Sequence, residues 1–289
     1  MLRYDYVRPA SVEEACAFLL KTPGRSCPIA GCTDFLVQVR EKSARWKDLQ
    51  YVVDLSALPE LSGIRVEDGI VHVGAMTTHS AAEHSPVLAE HAPLLAAACA
   101  SVGSPQIRNR GTIGGAVANA SPASDPMPVL IALEANALVQ GPNGQRTIPM
   151  SDMIVKPGKT ALAPDEIILG FSFPSVAHMR TVFLKLGRRK ALSISRMNVS
   201  LVVHQDAEGV IDHVALAPGC VFAAPDRARK AEALLLGRRP DAALIDDAAK
   251  AVADEMIERT GVRWSTEYKQ PVITALVRRA LENGTEVAE

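Results

Sequence analysis

The sequence predicts an α+β protein in two parts, and three patterns predict it. Near the N-terminus a buried strand runs through a glycine turn into a helix. Ile167, Leu169, Phe171 and Phe173 recur with a period of two, and beyond residue 180 apparent strands come first and helices after, which is the order of an α+β domain. The chain has 289 residues, 48% of them hydrophobic, so it is long enough for roughly two domains and for cores that need no disulfide staples.

Each element has its own local reason. Ser11 followed by Glu14 is a capping box, and Val12, Ala15, Phe18 and Leu19 carry the helical period to a stop at Thr22-Pro23-Gly24. Residues 27–30 read as a short buried strand broken by Gly31, after which Thr33 or Asp34 can cap a helix beginning at Phe35. Residues 51–54 form a strand, and 64–66 and 70–73 flank Glu67-Asp68-Gly69 as a hairpin. Small helices are expected at 78–83 and 93–102, residues 106–128 as no regular element, and a strand at 147–150 after the Asn143-Gly144 turn. Val182, Leu184 and Leu186 share one strand face and leave Lys185 on the other. Strands at 197–204 and 211–217 then precede helices near 228–236, 242–257 and 267–282, the second of these apolar along Leu244, Ala248, Val252 and Met256.

Composition narrows the function classes. Thirty-one basic side chains balance 32 acidic ones, a net charge of -1, so no broad field draws nucleic acid or an anionic membrane. No apolar run approaches the roughly 20 residues of a membrane span, and MLRYDYVRPA lacks the apolar stretch of a secretory signal, so a cytoplasmic location is expected. Cys16, Cys27, Cys32, Cys99 and Cys220 show no Cys-x-x-Cys spacing, so no metal is expected on this chain. The seven histidines are dispersed and pair with no nucleophile, and Arg188-Arg189-Lys190 reads as a solvated run, a partner contact or a dinucleotide-phosphate site.

Two segments carry the chemistry. In residues 28–36, PIAGCTDFL, consecutive N–H groups follow a buried strand around a glycine turn, an arrangement that binds phosphate oxygens, although it is neither a G-x-G-x-x-G fingerprint nor a Walker loop. In residues 112–125, TIGGAVANASPASD, Gly114 and Gly115 let a ligand lie on the main chain. Thr112, Asn119, Ser121, Ser124 and Asp125 supply hydroxyl, amide and carboxylate partners, and Asp125 reads as a hydroxyl acceptor rather than a base.

AGCTD at 30–34, VGAMTTHS at 73–80, SVGSPQIRNRGTIGG at 101–115, NASPASD at 119–125 and FLKLGRRKALSISRMNVS at 183–200 together resemble the FAD-binding medium subunit of molybdenum hydroxylases, the xanthine dehydrogenase and carbon monoxide dehydrogenase flavoprotein family. The resemblance implies a two-subdomain FAD-binding domain of the PCMH type at residues 1–176, with subdomains of about 1–60 and 61–176, plus an α+β C-terminal domain at 177–289. It implies that the FAD pyrophosphate meets Ile29, Ala30, Gly31, Cys32, Thr33, Asp34 and Phe35, and that Thr112, Ile113, Gly114, Gly115 and Ala116 pack on the flavin and its phosphate. Asn119, Ser121 and Asp125 then serve the ribityl or phosphate side, Val102 and Ile168 line the pocket, and Lys185 approaches the isoalloxazine, where an ammonium favours reduced flavin. Cys32 and Ala116 depart from the family's A-G-G-T-D and T-I-G-G-N, leaving affinity and potential in question.

The function implied is an electron-transfer subunit passing electrons from a 2Fe-2S small subunit through FAD to NAD, a quinone or oxygen, with hydroxylation on a molybdopterin-binding large subunit. A degenerate relative acting as an assembly or scaffold subunit and a stand-alone FAD-dependent reductase are the alternatives. The substrate lies beyond the reach of this chain's residues.

Overall fold

The computed structural model describes residues 4–189 and 191–287. Lys190, the last member of the basic run, lies outside the described residues. The N-terminal part is a parallel three-stranded sheet with Tyr51–Asp54 between Asp5–Val7 and Ser26–Ile29. The helix Val12–Lys21 covers it, started by Ser11, whose hydroxyl accepts the Glu14 N–H at 3.2 Å, while the Glu14 carboxylate accepts from Ala10 at 2.7 Å. Val12, Ala15, Cys16 and Leu19 bury against Val53, Leu55, Leu58 and Leu61.

The middle part is a five-stranded antiparallel sheet in the order Ile64–Glu67, Ile70–Gly74, Ile167–Pro174, Asn136–Gly141, Gly144–Pro149. Asp68 (φ 50°) and Gly69 (φ 77°) both take left-handed conformations, the tight turn that the first hairpin requires. The strand Ile167–Pro174 returns to the sheet centre, pairing on one side with Ile70–Gly74 and on the other with Asn136–Gly141. It thereby closes the long excursion of residues 75–166, whose helices supply most of a large core with Phe171 and Phe173.

The expectation that residues 106–128 form no regular element is corrected: they contain most of Pro105–Arg108, all of Ile113–Asn119 and the start of Pro126–Ala132. Pro105 and Pro126 stand at the first helical position, where a missing N–H breaks no intrahelical bond, so both start helices. The apolar stretch 129–139 is likewise divided, helix to Ala132 and strand from Asn136, with Glu134 (φ 53°) turning the chain between them.

The C-terminal part is an antiparallel sheet, Arg180–Gly187, Ser195–Gln205 and Ile211–Gly219 in that order, covered by Arg229–Leu235, Ala242–Thr260 and Thr266–Gly284. Val199, Leu201 and Val203 pack with these helices, whereas Val202, Ala215 and Ala217 join the core of the middle part. The central strand is therefore buried on both faces. Val182, Leu184 and Leu186 lie on the helix side, which turns Lys185 toward the middle part. Among the described residues no helix is long and apolar enough to cross a membrane.

Candidate functional site

A cleft of about 310 Å³ opens between the turn after Ser26–Ile29 and the helix Ile113–Asn119. Residues 29–35 form one wall, and Gly31 decides how closely that wall can approach its neighbour. A Cβ at Gly31 would lie 1.9 Å from the Arg110 carbonyl oxygen and 2.8 Å from Gly111 Cα, so the turn rests directly on that main chain. Cys32 follows in a left-handed conformation (φ 62°), which explains why glycine suits this position. The N–H groups of Gly31, Cys32, Thr33, Asp34 and Phe35 have no acceptor among the described residues, although the carbonyls of Cys32 and Asp34 accept from Leu36 and Gln38. Asp34 makes no capping bond, a correction to its expected role as a cap. It lines the cleft, and burial raises the pKa of its carboxyl.

The opposite wall is built differently. Thr112 caps Ile113–Asn119 through its hydroxyl, which accepts the Gly115 N–H at 3.0 Å. The N–H of Ile113 goes to Thr77 and that of Gly114 to Ala75. A Cβ at Gly114 would sit 2.6 Å from Ala75 Cβ, so this glycine permits close packing of the wall rather than exposing an amide to a ligand. At Gly115 an added Cβ would meet Thr112 Oγ1 at 2.9 Å and, across the cleft, Ala30 Cβ at 3.8 Å. Ala116, Asn119 and Ile168 also line the space, whereas Ile113 is fully buried in the core. Asn119 accepts from Gln38 Nε2 at 3.1 Å and Gln38 accepts from Trp46 Nε1 at 2.9 Å, a polar chain that joins the two walls. Gln38 and Trp46 are not singled out by the sequence, being scattered single residues, and His79, within the VGAMTTHS segment, reads there only as one of seven dispersed histidines.

Asp125 has a different immediate environment from the one expected of a free hydroxyl acceptor. Its carboxylate is 5% exposed and already accepts four bonds: Lys185 Nζ at 2.6 Å and Ser101 Oγ at 3.3 Å on one oxygen, Ser195 Oγ at 2.5 Å and Asn198 Nδ2 at 3.0 Å on the other. Lys185 also donates to the Ser101 carbonyl at 2.9 Å. The pair is a buried tie between the middle and C-terminal parts, behind the cleft rather than on its lining. Val102 also lies off the lining, and Ser121 borders a second cavity beside Cys220 and Lys269.

The electrostatics of the cleft are mild. Arg45, stacked 4.9 Å above Trp46, is the only lysine or arginine on its lining among the described residues. Burial pushes the His79 pKa down to about 4, with Arg108 acting in the same direction and Asp125 against it, so the ring is neutral at physiological pH. Burial and the nearby Asp54 raise the Cys32 thiol, against the pull of Arg110, and keep it protonated. An anion in this space would be met by main-chain dipoles more than by side-chain charge.

A family model for the FAD binding domain in molybdopterin dehydrogenase matches residues 2–176. The chain belongs to that family. A second model, the CO dehydrogenase flavoprotein C-terminal domain, matches residues 182–283. Among curated relatives of this flavoprotein are the nicotinate dehydrogenase FAD-subunit of Eubacterium barkeri, 30% identical and covering 96% of this chain and 95% of its own, and the nicotine 6-hydroxylase medium subunit of Paenarthrobacter nicotinovorans, 33% identical over 96% and 95%. A chain of the carbon monoxide dehydrogenase of Hydrogenophaga pseudoflava superposes with a TM-score of 0.89 at 31% identity, covering 98% of this chain and 97% of that one. The flavoprotein is thus an FAD-binding oxidoreductase subunit of α+β fold. The amides of residues 31–35, which lack a protein acceptor and belong to residues lining the cleft, are of the type that binds phosphate.

Proposed function

We propose that this flavoprotein is the electron-transfer subunit of a molybdenum hydroxylase, holding FAD between residues 29–35 and the helix Ile113–Asn119. The observation that carries the reading is the row of five main-chain N–H groups at Gly31–Phe35 that no described residue accepts. These amides would hold the diphosphate; Gly115 and Ala116 leave the opposite wall low enough to admit it; and Asn119, Gln38 and Trp46 keep the two walls at fixed spacing. The Lys185 ammonium is neutralised by Asp125 and lies off the cleft lining, so the pair serves as a tie between the middle and C-terminal parts rather than as a charge on the ligand. Bound FAD supplies the redox chemistry, accepting electrons and passing them on.

The same reading divides the chain at about residue 176, with the N-terminal sheet and the five-stranded sheet as the two FAD-clasping subdomains. The separate family matches at 2–176 and 182–283 support it. It assigns a 2Fe-2S small subunit as electron donor, a molybdopterin-binding large subunit as the place of hydroxylation, and an external acceptor such as NAD, a quinone or oxygen. The medium-subunit and FAD-subunit names of the relatives support this division of labour. The test is reconstitution of the purified chain with FAD, desalting, and release of the flavin by denaturation. Equimolar bound FAD that a chemically reduced 2Fe-2S small subunit then reduces is the expected result. A colourless protein overturns the cofactor assignment, and NADH-driven bleaching of the isolated chain favours the stand-alone reductase.

A further inference from the structure

His79 is the cleft residue whose hydrogen-bonding capacity the fold leaves uncommitted. Its side chain is 4% exposed and lines the cleft. Its backbone is fixed, since its N–H donates to the Gly111 carbonyl at 2.9 Å and Thr78 beside it bridges to Thr112. The ring lies against Gly111, where an added Cβ would stand 3.0 Å from Cδ2 and 3.4 Å from Nε2. Nδ1 is sealed from solvent and has no partner, whereas Nε2 is not sealed and also bonds no described residue. A neutral imidazole carries one donor and one acceptor, and buried polar groups in native proteins are nearly always paired. A leucine would fill similar space without stranding a polar atom. Of the ionisable groups that act on the ring, Asp125 is bonded to Lys185 and Arg108 is paired with Glu83 at 2.7 Å, so neither is free to become its partner.

We propose that His79 is a cofactor-contacting residue, a neutral imidazole in the cleft wall that hydrogen-bonds, through Nε2, an acceptor or donor atom of the bound FAD. The inference rests on the FAD reading above and adds to it a residue outside the segments 28–36 and 112–125. It predicts effects of opposite sign on the empty and the loaded protein. Replacing the ring by an apolar side chain removes an unsatisfied buried group from the empty cleft and removes a contact from the occupied one.

The experiment uses the full-length chain as wild type, His79→Leu and His79→Gln. FAD affinity is measured by fluorescence titration and the thermal midpoint of each apo-protein by circular dichroism. His79→Leu is expected to weaken FAD binding about ten-fold, the worth of one hydrogen bond, while its apo midpoint stays level or rises; His79→Gln should recover most of the affinity. FAD affinity of His79→Leu within two-fold of wild type overturns the inference and leaves the FAD reading standing. A parallel fall in apo midpoint and affinity that glutamine does not repair also overturns it, because it marks a packing residue. Failure of the wild-type chain to bind FAD removes the functional reading and this inference together.

Discussion

Asp125→Ala tests the tie between the middle and C-terminal parts. The substitution strands three donors in a site where Asp125 is 5% and the Lys185 side chain 13% exposed: the Lys185 ammonium, the Ser195 hydroxyl and the Asn198 amide. Breaking a buried ion pair by removing one partner costs about 3–5 kcal/mol. With an unfolding entropy of about 2.1 cal/mol/K per residue, 289 residues give about 0.6 kcal/mol/K, so the apo-protein should melt about 5–8 °C lower. Lys185→Met alone leaves the carboxylate buried but still bonded to Ser101, Ser195 and Asn198, and should cost less. The double variant leaves neither charge unpaired and should be more stable than the sum of the single effects predicts, by about 2 kcal/mol. Differential scanning calorimetry of the four proteins reads the cycle. A midpoint for Asp125→Ala within about 1 °C of wild type, or strict additivity, would refute the buried tie.

Three further outcomes follow from the cleft. Gly31→Ala should abolish FAD uptake and lower the apo melting midpoint, because the new Cβ would lie 1.9 Å from the Arg110 oxygen, whereas Gly115→Ala, with 2.9 Å to a single hydroxyl, should cost far less stability; equal midpoints would count against the close approach. Cys32→Gly should bind FAD at least as tightly in a fluorescence titration, since glycine takes φ 62° without strain, and a marked loss would show that the thiol is a contact. His79 has a folded pKa of about 4 against about 6.5 unfolded, so the unfolded chain binds more protons between those values and stability falls as pH drops through that window, by about 3 kcal/mol in all. Urea midpoints at pH 7 and pH 4.5 should therefore diverge less in His79→Leu than in wild type; an equal divergence would contradict the buried neutral ring.

The parts of this fold that could be read from sequence are those whose signals are local. The Ser11 cap, the Asp68-Gly69 turn and the face shared by Val182, Leu184 and Leu186 each depend on a few consecutive residues, and each is found in the structure. Residues 106–128 misled because a proline at a helix start and one that ends a helix look alike until the cap beside it is known. The return of Ile167–Pro174 to the sheet centre is a pairing across about a hundred residues, which periodicity cannot report. In the cleft, the turn at 29–35 was legible because its glycine grammar is contiguous. Asp125 reads as a free acceptor in a Ser-rich loop, yet three of its four partners come from residues 185–198, and a linear motif carries no record of them. His79 reads in sequence as one of seven dispersed histidines, because a missing partner leaves no local trace.

The central claim is that FAD is held by the main chain of residues 31–35. Amide hydrogen exchange followed by mass spectrometry, on the apo chain and on the chain saturated with FAD, tests it most directly. The account predicts slow exchange at Gly31–Phe35 only when FAD is bound, since these amides have no acceptor in the protein itself. Stoichiometric FAD binding with exchange at these five amides unchanged would contradict it.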